Sequence, residues 1–319
     1  MSSREKRPYI VNTNVEFAPG HYPVMINEII EAFQPCFSLS NARYFDGTFG
    51  RGGHYQIVKE KCPQVQAVVM DQDLQAIQFA QDKFSTEVQQ AKLKVVHANF
   101  SEFANHSLGN FDMMLLDLGV SSPQLDQAER GFSFYHDGPL DMRMNQQQEL
   151  TAEYLINTSS EEELVDIFRN YGEVQKPFRV VRAIVHDRKT KAFQSTKELA
   201  GLIERVDGWR QKGHHPATKY FMGLRLAVNQ ELEVVEKTLP EMMRSLNMGG
   251  RLAVLTFHSL EDRIVKNIFR GHPELGRPVN KKVIIPTQEE CDFNSRSRSA
   301  KLRIFERGTQ DEPKKFQRT

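Results

Sequence analysis

The chain has 319 residues, of which 39% are hydrophobic and 26% charged, and its formal net charge is +1. That length exceeds one typical domain, so we expect a large domain with an insertion, or two domains. The three cysteines are too far apart for a disulfide framework or a zinc site, and no apolar run approaches the ~18 residues of a membrane span. The N-terminus lacks the apolar stretch of a signal peptide, so we expect a soluble, cytoplasmic protein. From the cysteine spacing we expect no metal.

The first part of the chain alternates between strand and helix patterns. Residues 1–20 are polar and aperiodic and are predicted to form a loose arm, and residues 21–33 are predicted to form a short helix. A β-α-β-α-β-β order follows, which predicts a doubly wound parallel sheet. The predicted strands are 42–46, 67–70, 93–96 and 113–116, and the predicted helices run through 57–58 and over 74–84.

The alternation stops after Gln124 and resumes about a hundred residues later. Residues 220–246 are predicted as one long helix or two, ending at a Gly-Gly pair in 247–250, and 251–257 as a strand of the same sheet. We therefore expect a core of residues 1–141 and 215–319 with an inserted helical domain at 142–214. Within the insertion, Ser195 and Glu198 have the spacing of a capping box. Two short strands are expected at 283–285 and 302–305.

A glycine-rich loop, DGTFGRGGH at 46–54, lies between the first strand and its helix. Such glycines let backbone amides approach a ligand, although a tight structural turn is the alternative interpretation. The loop is neither a P-loop nor a dinucleotide fingerprint. Asp71, about 20 residues beyond it, can accept hydrogen bonds from ribose hydroxyls. Loop and acid together predict an adenosine-bearing cofactor, and S-adenosylmethionine fits better than NAD.

The most informative stretch is 111–125, where a buried strand ends at Asp117 and enters a Gly-Val-Ser-Ser-Pro turn. Ligands bind outside the carboxyl ends of strands in such sheets, and an unpaired buried carboxylate is costly. The turn has the character of the loops that amino-group methyltransferases place around a planar base. We expect Asp117 and backbone carbonyls of the turn 121–123, which includes Ser122 and Pro123, to shape the site. Asp117 is either a base or only a cofactor ligand. Phe100, after the third strand, either stacks on adenine or is a core residue.

Two further features leave alternatives open. Ser259 and Asp262 have capping-box spacing after the last predicted strand, so His258 either contacts substrate or only precedes a helix. The insertion is rich in Lys and Arg, which fits an RNA-binding surface or a solvated helix face.

Many long motifs of the chain match those of a known family in the same order. They lie at 21–24, 46–54, 117–124, 130–134, 138–144, 215–218, 249–252, 257–266 and 295–303. With them the chain resembles the bacterial ribosomal RNA small subunit methyltransferase H family, which makes N4-methylcytidine in 16S rRNA. The resemblance covers almost the whole chain. Departures at Asn145, 173–178 and 293–296 affect the insertion and the tail, not the cofactor loop.

The resemblance implies a class I S-adenosylmethionine-dependent methyltransferase fold, Rossmann-like, with an inserted helical domain. It implies 16S rRNA in the small ribosomal subunit as the partner and leaves a homodimer open. A non-catalytic RNA-binding assembly factor is the alternative function, and a cofactor titration would distinguish the two. The implied cofactor contacts are Gly52, Gly53, His54, Asp71, Phe100, Asp117 and Gln124. The expected RNA contacts are Arg143, Arg179, Arg182, His258, Arg296 and Arg298.

Overall fold

Seven strands form one sheet in the order β3-β2-β1-β4-β5-β7-β6. The computed structural model describes residues 13–17, 22–209 and 215–308. Strands β1 to β5 are parallel neighbours, and β7 runs antiparallel to both β5 and β6. This order confirms the predicted class I methyltransferase fold. The strands are β1 Arg43–Asp46, β2 Gln66–Asp71, β3 Leu93–His97, β4 Phe111–Asp117, β5 Leu246–Thr256, β6 Gly276–Pro278 and β7 Lys301–Arg307.

The described residues divide into two compact units. The core unit comprises the chain up to Gly119 and from Glu233, and the inserted unit comprises Val120–Leu232. The first helices of the core unit are α1 Ile26–Phe33, α2 Gly53–Lys61, α3 Leu74–Lys83 and α4 Ser85–Gln89. The inserted unit contains α5 Ser122–Asp126, α6 Ala152–Thr158, α7 Glu161–Asp166, α8 Phe178–Asp187, α9 Thr196–Asp207 and α10 Ala217–Asn229. The chain continues through α11 Glu231–Arg244, α12 Ser259–Gly271 and α13 Gln288–Phe293.

Both faces of the core sheet are covered, which is why β4 is an unbroken apolar run. Alternate residues of a strand point to opposite faces. Accordingly Met113 and Leu115 belong to one buried apolar cluster, whereas Met114 and Leu116 belong to another. All four side chains are fully buried. The carboxyl end of β4, carrying Asp117, is therefore held by packing on both sides of the sheet.

The inserted unit is wider than the segment 142–214 expected from the sequence. The guanidinium of Arg130, which is 1% exposed, donates to the backbone carbonyls of Arg143 and Met144. The amide of Asn229 on α10 donates to the carbonyl of Met142, at 2.8 Å. These contacts tie residues before 142 and after 214 to the helical core of this unit.

Three local features differ from the sequence prediction, and for 220–246 the structure shows the two-helix alternative. The Gly-Gly pair at 249–250 does not end a helix: α11 ends at Arg244, and the pair lies inside β5. Pairing with β4 advances there by two residues on β4 and five on β5, so Gly249, with φ of +77°, forms an irregularity of the strand. The segment 220–246 is two helices broken at Gln230, which has φ of +49°. Segment 283–285 is reduced to a bridge between Ile284 and Leu302, and β6 was not predicted.

The expected loose arm at 1–20 lies mostly outside the described residues. Of the helices in the described ranges, none is long and apolar enough to cross a membrane.

Candidate active site

Three neighbouring parallel strands of the core unit each end in a carboxylate. Asp46 ends β1, Asp71 ends β2 and Asp117 ends β4. The strand order places β1 between β2 and β4. Because the carboxyl edge of an open α/β sheet is where ligands bind, these residues mark the candidate site.

The glycine loop between β1 and α2 depends on residues without a side chain. Gly52, the N-cap of α2, has φ of +67°, a conformation that L residues rarely adopt. A Cβ on Gly52 would lie 2.5 Å from the ring of Phe49, and one on Gly53 would lie 2.5 Å from Pro23. The side chains of Phe49 and Pro23 thus pack so closely against the loop that neither position has room for a Cβ.

Asp71 holds the loop in place. Its Oδ2 accepts a hydrogen bond from the backbone N–H of Gly50, and its Oδ1 accepts one from the N–H of Asp73, both at 2.8 Å. Burial raises the pKa of this carboxyl to about 6. Each carboxylate oxygen retains a second lone pair, so the contacts leave acceptor capacity for a ligand hydroxyl. The expected ribose contact of Asp71 stays a prediction.

Phe100 is the first residue of a 3-10 helix, Phe100–His106, and is 9% exposed. It belongs to the same apolar cluster as Met114 and Leu116. A Cβ on Gly47 would lie 3.2 Å from Cβ of Phe100, so this side chain lines the base of the glycine loop. Most of its ring packs within this apolar cluster, and stacking on adenine stays a prediction.

Asp117 is a half-buried carboxylate with few partners. Its backbone N–H donates to Oγ1 of Thr48 at 2.6 Å. Its Oδ1 is buried and has no hydrogen-bond partner among the residues that the structure describes. Burial, followed by the negative charge of Glu261, raises the pKa of Asp117 to about 7. A carboxyl with such a pKa can accept a proton near neutral pH.

His54, at the start of α2, faces Asp117 as a neutral ring. Its Nε2 lies 2.9 Å from the carbonyl oxygen of Val24. Since a carbonyl only accepts, Nε2 carries the proton and Nδ1 is the unprotonated nitrogen. Nδ1 lies 3.8 Å from Oδ2 of Asp117. Burial lowers the pKa of His54, which favours this neutral form.

Asp46 is a site residue that the sequence analysis did not single out. It is 2% exposed; its Oδ2 accepts from the hydroxyl of Tyr44 at 3.0 Å, and its Oδ1 accepts from the N–H of Thr48 at 3.1 Å. Burial raises its pKa to about 6. The signal was present, because Asp46 ends a buried strand directly before the glycine loop, as Asp117 does before its own turn.

The start of α12 corrects the predicted capping box of Ser259 and Asp262. The N-cap is His258, and the third helical residue, Glu261, accepts a hydrogen bond from the N–H of Phe257 at 2.9 Å. Nε2 of His258 lies 3.0 Å from Oε1 of Glu261, and the two side chains are 10% and 1% exposed. Little of the His258 side chain is therefore accessible to RNA, and its RNA contact stays a prediction.

The inserted unit carries Gln124, Ser122, Pro123 and Arg143 of the predicted site. Gln124 is buried, and its Oε1 accepts from the N–H of Ser121 at 2.9 Å, so it caps α5. Ser122 and Pro123 are the first two residues of that helix. Arg143 binds both carboxylate oxygens of Asp141, at 2.9 and 2.7 Å, which engages it within the unit.

The other basic residues of the predicted RNA surface differ in their exposure and in their contacts within the protein. Arg179 and Arg298 are exposed. Arg182 is 73% exposed and forms an ion pair with Glu161 at 3.3 Å. Arg296 lies in a 3-10 turn, Ser295–Ser299, where its N–H donates to the side chain of Asn294. Their RNA contacts are predictions that this geometry does not test.

Comparison with known proteins gives consistent matches along the chain. The model of the MraW methylase family matches residues 18–308. A protein of Bdellovibrio bacteriovorus named ribosomal RNA small subunit methyltransferase H is 70% identical over 96% of this chain and 93% of its own. Proteins of the same name from Cyanothece sp. and Coprothermobacter proteolyticus are 44% and 40% identical over 90% of this chain, covering 94% and 96% of their own lengths.

Proposed function

Because the chain belongs to the MraW methylase family, we propose that it transfers a methyl group from S-adenosylmethionine to the exocyclic N4 amine of a cytidine in 16S rRNA of the small ribosomal subunit. Relatives named ribosomal RNA small subunit methyltransferase H match at least 90% of the chain. The observation that carries the proposal is Asp117, a carboxylate with an unpartnered buried oxygen at the end of β4. It stands directly before a turn of the type that amino-group methyltransferases use.

The core unit has the features that S-adenosylmethionine needs. In the loop at 46–54 a Cβ would meet open space at Gly50, whose N–H donates to the carboxylate of Asp71 at the end of the next strand. The residues that would hold the cofactor in this unit are Gly52, Gly53, His54, Asp71, Phe100 and Asp117, to which the family resemblance adds Gln124. When bound, S-adenosylmethionine supplies an electrophilic methyl group on a sulfonium.

The chain's own residues must make the amine nucleophilic. The lone pair of a cytosine N4 amine is delocalised into the ring. A hydrogen bond from this amine to Oδ1 of Asp117 concentrates the lone pair on nitrogen. As the new N–C bond forms, Oδ1 accepts the proton that the amine releases, for which a pKa of about 7 is suitable.

His54 shapes the state of that carboxylate. Its neutral ring presents an unprotonated Nδ1 toward Oδ2 of Asp117, so it places no positive charge beside the carboxylate. A positive charge would hold the pKa of Asp117 low and weaken it as a base. The negative charge of Glu261, a buried carboxyl of the same unit, acts in the opposite direction and raises the pKa of Asp117.

Mass spectrometry of 16S rRNA from cells with and without the protein tests the proposal. We expect N4-methylcytidine to be lost without the protein and restored by the wild-type gene, but not by the Asp117→Ala variant. Purified protein should then be assayed on small subunits and on naked 16S rRNA, to establish which is the substrate. Equal N4-methylcytidine in both strains, or a methyl group on ring carbon C5, would contradict the proposal.

A further inference from the structure

A groove of the core unit, away from the strand-end carboxylates, concentrates positive charge. It lies between α12 and the β6–β7 edge of the sheet. The groove is lined by Lys266, Arg270, Asn280, Lys282 and Arg303 above an apolar floor of Phe269, Pro278 and Ile304. We call it the basic groove. Within the described ranges no carboxylate lines it, although the whole chain carries 41 acidic residues against 42 basic ones.

The charges of the basic groove are available to a ligand. Lys266 and Arg270 are four residues apart on α12, a spacing that places them on one face of the helix. Neither they nor Lys282 forms an ion pair or hydrogen bond within the described part of the chain. Arg303 differs, because its guanidinium binds Asp262 through contacts of 2.6 and 3.1 Å. The two lysines and Arg270 thus have no carboxylate partner among the described residues, whereas Arg303 is held by Asp262.

The position of the groove relates it to the strand-end carboxylates. Helix α12 begins beside His258, just after β5, and Leu255 of β5 pairs with Asp117 of β4. A helix rises 1.5 Å per residue, so Lys266 and Arg270 lie about 12 and 18 Å along α12 from His258. At ~3.4 Å per nucleotide of a stacked strand, that distance corresponds to roughly three to five nucleotides.

We propose that the basic groove binds the backbone phosphates of the substrate RNA a few nucleotides from the target cytidine. This inference rests on the proposed RNA substrate. Lysine and arginine are the residues that contact phosphates, and such contacts position a nucleic acid without reading its sequence. The aromatic ring in the groove, Phe269, is 2% exposed and cannot stack on a base, so backbone rather than base recognition follows.

The test compares the triple variant Lys266→Gln/Arg270→Gln/Lys282→Gln with a matched control, Lys83→Gln/Lys92→Gln/Lys94→Gln. The control removes the same charge from exposed residues near β3, at the opposite edge of the sheet. Binding of a 16S rRNA fragment that includes the target cytidine is measured between 50 and 200 mM salt by filter retention, without methyl transfer. Calorimetry with S-adenosylmethionine verifies that both variants keep the cofactor affinity of the wild type.

We expect the groove variant alone to lose about 10- to 100-fold in RNA affinity and its salt slope to become less steep by about 2, since each single-strand phosphate contact contributes ~0.7. A trinucleotide centred on the target should bind both variants and the wild type equally. An unchanged salt slope, or an equal loss in the control, would overturn the groove assignment. Because binding is read without catalysis, that outcome is distinct from a failure of the protein to methylate N4.

Discussion

Ionised Asp117 should lower the free energy of unfolding of the folded protein. Replacing it with asparagine should remove this loss of stability. Its pKa is about 7 in the folded chain against an ordinary value of 3.8, chiefly because of burial. A carboxyl whose pKa is raised by folding contributes stability that is complete below its unfolded pKa and is lost as the pH rises through its folded pKa. The window for Asp117 therefore runs from about pH 4 to about pH 7.

The expected loss of stability follows from the difference between the folded and unfolded pKa values of Asp117. At pH 8 the ionised carboxylate costs up to about 4 kcal/mol, whereas at pH 5 the bound proton limits the cost to about 1.5 kcal/mol. The side chain is 28% exposed, so solvent reduces both values. We expect the Asp117→Asn variant to gain stability over the wild type as the pH is raised from 5 to 8, by about 1 to 2.5 kcal/mol.

Urea denaturation of both proteins at pH 5 and pH 8, without cofactor, measures this double difference, in which the shape change of the substitution cancels. Asp82→Asn, on an exposed residue of α3, is the matched control and should show no such gain. The same Asp117→Asn variant should lose about 10²- to 10⁴-fold in methyl transfer, the usual contribution of a positioned base. A stability gap between variant and wild type that is constant with pH would refute the reasoning.

Four further results are expected. Asp71→Ala should weaken S-adenosylmethionine binding by roughly 1–3 kcal/mol, because a buried acceptor is lost, and unchanged calorimetric affinity in a folded variant would contradict its role. Gly131→Ala should destabilise by about 2–4 kcal/mol, since φ is +73° and its Cβ would lie 2.2 Å from a carbonyl oxygen. Gly201→Ala, in α9 with open space around it, should instead stabilise by ~0.5–1 kcal/mol in the same urea assay. Glu261→Gln should shift the acid limb of the pH profile of kcat to lower pH, because the charge of Glu261 helps to raise the pKa of Asp117. A limb that does not shift would show that it does not report the titration of Asp117.

The sheet and its strand-end carboxylates could be predicted because their signals are local. A strand buried on both faces is a continuous apolar run, and 113–116 is such a run, ending one residue before Asp117. The same reasoning located Asp71 after 67–70. Asp46 carries the same strand-end signal but was passed over, and the structure adds the hydrogen bond that it accepts from the hydroxyl of Tyr44.

Other features depended on contacts that sequence spacing cannot rank. Two overlapping capping patterns occur in 258–262, offset by one residue. The choice is decided by Arg303 of β7, which takes Asp262 and leaves Glu261 to cap α12. The bounds of the inserted unit likewise depend on Arg130, a buried cation in a segment that has no helical periodicity.

The insertion between β4 and β5 has a consequence for how the chain is made. Phe111 of β4 pairs with Leu246 of β5, and at ~5–20 residues per second a ribosome needs roughly 7–30 s to synthesise the chain between these strands. Throughout that interval the apolar β4 is a bare edge, the kind of surface that promotes aggregation. The inserted unit, complete at residue 232, is fully synthesised before β5 emerges. Its early folding would shorten the loop that β4 must close, and so would set how long the nascent protein depends on chaperones.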